Sequence, residues 1–331
     1  MSIIRKFVNS TINILGKLRV KVNEVLSNLT EAARTNSYIE TYGNKADTVN
    51  LHIKENSDND LKKAFEFNTR KAILRMGLRN CVLAVDTTKD LYYGKNGNRN
   101  VRQIQPEKGA DEAFTYVVIS IVKPRPLPLM AIPYRQGDDL ATLLKDLLAY
   151  SNTLKIRIDC VLFDRGFYIG DLIQYLLDKR IRYLIFVPQN DAMKNYISLT
   201  DNLAYFEHII EWNKYKSWWK TNTQIVIIKD YYMDQKTKRR KKYYWCFATN
   251  LRYSLPLIRI YKQRWQIETD FRVHDEARIK SKSNLLIVRY FYFLASLVLM
   301  ACWEMNRIEN PNVTFKKYLK NIEKIFAGEI T

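Results

Sequence analysis

The sequence has few of the residues that make linkers, cross-links or soft-metal sites. Gly and Pro number 10 and 8 in 331 residues, too few for long flexible arms or low-complexity tracts. Its 4 cysteines, Cys81, Cys160, Cys246 and Cys302, stand far apart with no CxxC pair. That spacing supports neither a zinc site nor a disulfide framework, and reduced core thiols of a cytoplasmic protein are expected. The 3 histidines, His52, His208 and His274, are too scattered for a zinc site or a nucleophilic triad. No uninterrupted apolar run reaches the roughly 20 residues that span a bilayer. The stretch 285–303 is broken by Arg289, after which 14 residues remain, so a buried core helix is expected there. The first residues, MSIIRKFVNSTINILG, are interrupted by polar side chains and lack a signal-peptide block.

Acidic residues are also in deficit: 54 Lys+Arg face 34 Asp+Glu, a net charge of +20. A field of that sign suits a polyanionic partner, nucleic acid before a membrane surface, although surface charge alone serves solubility too. With 47% hydrophobic residues the chain can bury a sizeable core, as one large domain with appendages or as a few smaller ones.

The pattern divides into four parts. Residues 1–80 have helical periodicity and no strong β run. Residues 81–188 read as strands at CVLAVD (81–86), AFTYVVISIV (113–122), LPLMAIPY (127–134), IRIDCVLF (156–163) and RYLIFVP (182–188), with helices at 137–152 and 169–180. Residues 189–250 hold Trp212, Trp218, Trp219 and Trp245 and predict a two-stranded hairpin, TQIVIIKDYYM and KKYYWCFAT, around the basic tip QKTKRRKK (235–242). From about 255 to 331 helices resume. Leaving out 189–250, three strands followed by alternating helices and strands predict a mixed sheet flanked by helices, the ribonuclease H-like order. Its acids fall at the first and fourth strands.

Those acids carry the chemistry. Asp86 follows CVLAV and Asp164 follows CVLF. An acid at the carboxyl end of a buried strand projects where α/β sites form. Either one alone is also an ordinary strand-terminating residue. Glu268 lies in YKQRWQIETDF, and a helix starting near Leu257 puts Tyr261, Arg264, Glu268, Arg272 and Asp275 on one face. That face also suits a plain i,i+4 salt-bridged surface. Three carboxylates without histidine or cysteine are the donors that hard divalent cations take, and two such cations serve phosphodiester cleavage.

AVDTTKDLYYG, FDRGFY and YKQRWQIETDFR together resemble the three acidic motifs of the DDE transposases of bacterial and archaeal insertion sequences. More narrowly they resemble the branch with a Tyr-Arg-Glu-Lys motif spaced by two, three and six residues, and EAR of HDEARIKSKS is similar to a subgroup of it. The resemblance covers roughly 81–305. It implies Asp86, Asp164 and Glu268 as ligands of Mg²⁺ (or Mn²⁺), Tyr261 and Arg264 as residues that contact the DNA end or orient the glutamate, and 189–250 as a β-rich insertion. In relatives such an insertion stacks a flipped base, a role that Trp218 or Trp219 would take here. The motif lysine is replaced by Asp275, leaving Arg272, Arg278 or Lys280 as substitutes that spacing does not separate. The expected function is cutting double-stranded DNA at element ends and joining the 3′-hydroxyl to a target, by a homodimer or larger assembly without membrane attachment. A non-catalytic DNA-binding descendant and a nuclease without strand transfer are the alternatives.

Overall fold

The computed structural model describes residues 2–11, 22–42, 46–94, 98–235 and 238–327; side chains at 2, 11, 270 and 271 are outside the description. Helices α1 (Ser2–Thr11), α2 (Val22–Thr35), α3 (Ala46–Lys54) and α4 (Asp58–Met76) occupy the first 80 residues, as the periodicity predicts. The start of α4 is fixed by Ser57, whose side chain accepts from the Asp60 N–H while Asp60 returns a bond to the Ser57 backbone. Gly77 ends the helix with φ 63°, a left-handed turn for which glycine has no Cβ penalty.

These helices gather around α10 (Leu286–Asn306), the most apolar segment. Every residue of α10 from Val288 to Glu304 is buried, with α11 (Phe315–Ala327) completing the layer. Phe291 stacks on Phe7 of α1, and the Tyr290 hydroxyl donates to the Ala131 carbonyl at 2.6 Å. Length and composition would let α10 cross a bilayer, yet 89% of its most apolar window is covered by the rest of the chain.

The sheet holds β1 (Asn80–Tyr92), β2 (Arg102–Glu107), β3 (Ala110–Lys123), β4 (Leu127–Tyr134), β5 (Arg157–Phe163), β6 (Tyr183–Phe186), β7 (Leu203–Lys214), β8 (Ser217–Met233) and β9 (Arg240–Thr249). Its order is β2-β3-β1-β5-β6-β9-β8-β7, and β4 pairs with β3 beyond β2 on the same edge. The inner five strands, β4-β3-β1-β5-β6, are antiparallel across β3 and parallel from β1 to β6. The parallel steps run through α5 (Leu140–Thr153) and α6 (Gly170–Asp178). This is the ribonuclease H-like mixed sheet flanked by helices.

Four local expectations change. Strand β1 does not stop at Asp86 but continues to Tyr92, because its second half pairs with β3 after the parallel pairing with β5 has ended at Val85. The polar segment 102–107 forms β2, so Asp164 follows the fifth strand in the chain, not the fourth. Residues 189–250 give α7 (Asp191–Ser198) and three strands instead of a two-stranded hairpin, and β9 pairs with β6 so that all three extend the central sheet. Alternating burial along β7, with one face covered, hid that strand among polar residues. Finally, the helix expected from Leu257 is broken into α8 (Leu257–Lys262) and α9 (Trp265–Glu276). Between them Arg264, Gln266 and Ile267 donate to carbonyls three residues back, a tightened turn.

Candidate active site

The last parallel pair between β1 and β5 is Val85 with Phe163. Asp86 and Asp164 are therefore the next residues on neighbouring strands, at one end of the sheet. Asp164 leaves β5 in extended conformation and opens a 3₁₀ turn, Arg165–Phe167. Asp86 stays within β1, its Oδ1 accepting from the Thr87 N–H at 2.8 Å.

Helices α8 and α9 cross this end. Ile267, Leu257 and Tyr261 are buried in a second, smaller core with Leu162, Phe186 and Phe247. The tightened turn aims Arg264 at the two acids flanking it: one guanidinium nitrogen donates to Asp86 Oδ2 at 3.0 Å, and the other donates to Glu268 Oε1. Tyr261 donates its hydroxyl towards Asp164 Oδ1 at 3.5 Å. All three predicted acids are thus joined through the two residues the motif supplied.

Burial shapes their electrostatics. It lifts the Asp86 carboxyl from 3.8 to about 6, against the pull of Arg264, and the nearby Asp164 and Glu268 charges push the same way. Burial also works against the Arg264 guanidinium, but Tyr261 and the three acids hold it above its ordinary value. The Tyr261 hydroxyl is pushed up, chiefly by burial.

The remaining predicted residues lie apart from this trio in different ways. Arg278 is buried, donating to Asp275 Oδ1 at 2.6 Å, the Lys89 carbonyl at 2.5 Å and Thr88 Oγ1 at 3.2 Å. Arg272 and Lys280 line an open cleft beside Glu268, along the continuation of β1. Trp218 and Trp219 are 72% and 55% exposed near the β7–β8 turn. In register, the level of Leu162 runs through Leu184 and Thr249 to Gln224. Trp218 and Trp219 precede Gln224, so they sit along the sheet away from the end carrying Asp164.

The other end of the β8–β9 pair, whose basic tip the sequence marks but whose tyrosines it does not place beside the site, projects past the acids. There Tyr231 and Tyr232 oppose Lys242 and Lys241, and Arg240 lies over the Tyr231 ring at 4.2 Å. A line of rings leads back to the site: Tyr243 to Trp245 at 5.3 Å, then Trp245 to Tyr261 at 6.0 Å. Alternation of tyrosine and cation in KDYYM and RRKKYYW was the available signal. Of the basic tip, Lys236 and Thr237 lie outside the described residues.

A profile of the family described as Transposase DDE domain matches residues 115–284. The chain belongs to that family. The match covers Asp164 and Glu268 and begins beyond Asp86, whose place beside them comes from the strand register. No curated protein matches this transposase. Among solved structures, it is similar to the piggyBac transposase in a cryo-EM synaptic complex with hairpin DNA: TM-score 0.60, 11% identity, covering 98% of this chain and 77% of that one. At that identity the likeness is one of fold.

As donors for a cation, the three acids offer carboxylate oxygen only, the set that Mg²⁺ and Mn²⁺ take. Among the described residues no three such side chains are gathered tightly enough to hold a metal as they stand, since Arg264 lies between Asp86 and Glu268. The residues fit a hard divalent cation in kind, with one guanidinium in the intervening position.

Proposed function

We propose that this DNA transposase cuts at the ends of its element and joins the freed 3′-hydroxyl to target DNA, using Mg²⁺ held by Asp86, Asp164 and Glu268. The observation that carries the reading is the meeting of these three acids, from a strand, a strand end and a helix, on Arg264 and Tyr261. Divalent cations, when bound, supply activation of the attacking oxygen and neutralisation of the leaving one. The chain's own part is positional. Arg264 orients Asp86 and Glu268, Tyr261 steadies Asp164, and the buried setting of Asp86 makes its carboxylate seek a cation. A net charge of +20 draws DNA to the protein. The Tyr231–Lys242 ribbon offers rings and cations for a strand leaving the site, and Trp218 and Trp219 offer a second stacking surface at the far turn.

The resemblance to the Tyr-Arg-Glu-Lys branch supports a prokaryotic element acting at the nucleoid in the cytoplasm. The synaptic complex of the similar fold supports an assembly that holds two ends. Purified protein mixed with a duplex carrying the terminal sequence that flanks its gene should nick it with Mg²⁺ or Mn²⁺ and sediment as a dimer or larger on that DNA. Asp86→Ala, Asp164→Ala and Glu268→Ala should each abolish cutting. Cutting in EDTA, or undiminished cutting by any of the three variants, refutes the assignment. Tight binding without cutting by the wild type favours a non-catalytic DNA-binding protein.

A further inference from the structure

Beside Glu268 a cleft of about 680 Å³ opens between the continuation of β1, helix α9 and the extended segment after it. Six cations line it: Lys89, Lys108, Arg272, Arg278, Lys280 and Arg289. Four of them already face carboxylates. Lys89 and Lys108 approach Glu107 at 3.7 and 3.9 Å, Arg278 holds Asp275 at 2.6 Å, and Arg289 holds Asp90 at 3.1 Å. Arg272 and Lys280 have no ion pair among the described residues, so their charge is available to a ligand.

Asp275 explains the arrangement. It stands where the motif has lysine, and its carboxylate takes Arg278, which is further tied to β1 through Thr88 and Lys89. Neither residue is left to meet a phosphate. Lys280, in contrast, has its backbone clamped on both sides: it accepts from the Ile39 N–H at 2.8 Å and donates to the Ser37 carbonyl at 3.2 Å. The peptide is fixed beside the cleft, so the flexible side chain carries its ammonium within reach of a ligand held there.

We infer that Arg272 and Lys280 together hold a backbone phosphate of the DNA end in this cleft. The inference rests on the proposed transposase reading, and it places one phosphate contact on α9 and the other on a segment pinned by the N-terminal helical region.

The test uses the full chain, a duplex carrying the element's terminal sequence, and the same duplex with single methylphosphonates stepped across the phosphates flanking the cut. Lys280→Gln and Arg272→Gln should each melt as the wild type does. Each should lower the slope of log affinity against log salt by about one and slow cutting by on the order of tenfold to a hundredfold. A methylphosphonate at the contacted phosphate should weaken wild-type binding, weaken each single variant less, and leave the binding of the Arg272→Gln/Lys280→Gln double variant unchanged. Arg157→Gln, at an exposed arginine paired with Asp159 at the start of β5 and remote from the cleft, should match the wild type. Wild-type cutting and binding by both variants, or methylphosphonate losses that add fully to theirs, overturn the inference while the transposase reading stands. If the wild type binds the end and never cuts, the catalytic reading fails, and the methylphosphonate scan still decides the phosphate contact.

Discussion

Replacing Asp86 by asparagine should stabilise the protein while destroying its activity, and the size of the gain follows from the site. Burial lifts the Asp86 carboxyl from 3.8 to about 6, and its side chain is 20% exposed. A rise of that size means that the ionised carboxylate costs the fold about 3 kcal/mol, net of the attraction from Arg264. Because the folded-state value is raised, the associated stability is fully present below about pH 4 and is lost as pH rises through about 6. Asparagine removes this loss. Its Oδ1 can still accept from the Thr87 N–H, but an amide nitrogen facing Arg264 would set donor against donor, so the net gain at pH 7.5 is about 1–2 kcal/mol. At roughly 2.1 cal/mol/K per residue, a chain of 331 residues converts that gain to about 1.5–3 °C in Tm. The assay is thermal unfolding of wild type and Asp86→Asn in EDTA from pH 4.5 to 8. The two should nearly coincide at the acid end and separate as the pH rises, with the variant the more stable. Added Mg²⁺ should then raise the wild-type Tm and leave the variant unmoved. A difference that ignores pH, or a variant less stable at pH 7.5, would refute the argument from burial.

Other expectations test the scaffold. Asp90 is the carboxylate shared by Arg289 and Arg278 at 3.1 and 3.9 Å, both guanidiniums being buried. Asp90→Ala should cost about 3–5 kcal/mol in urea unfolding by leaving the buried Arg289 without its carboxylate, while Arg278 keeps Asp275. A Cβ at Gly170 would lie 2.4 Å from the Trp212 ring, so Gly170→Ala should force the β7–β8 hairpin off α6 at about 1–3 kcal/mol, read as a lowered Tm. Trp218→Ala and Trp219→Ala, both at exposed positions, should shift stability by no more than about 0.5 kcal/mol. If those rings stack a base, either variant weakens end binding; if the Tyr231–Lys242 ribbon does so, Tyr231→Ala and Tyr232→Ala carry the loss in the same gel-shift assay.

Much of the site was legible because its signals are local. Apolar β-branched runs before Asp86 and Asp164 specify buried strands whatever surrounds them, and Tyr261, Arg264 and Glu268 still meet these acids although the helix expected to carry all three is broken at Arg264. The same periodicity marked the N-terminal helices and the buried α10.

What tertiary structure alone decided are pairings between distant residues. Arg264 meets Asp86 across 178 positions and Arg278 meets the Lys89 carbonyl across 189, and no local pattern encodes such partners. Strand β1 runs past Asp86 because β3 offers it a second edge, and β7 to β9 continue the central sheet because β6 has a free one. The substitution at Asp275 likewise gains its meaning only in the fold. Spacing leaves Arg272, Arg278 and Lys280 equivalent, whereas the structure binds Arg278 to Asp275 and leaves the other two facing the cleft. Charges in a sequence are only counted; burial and distance determine which are neutralised by the protein and which remain for a ligand.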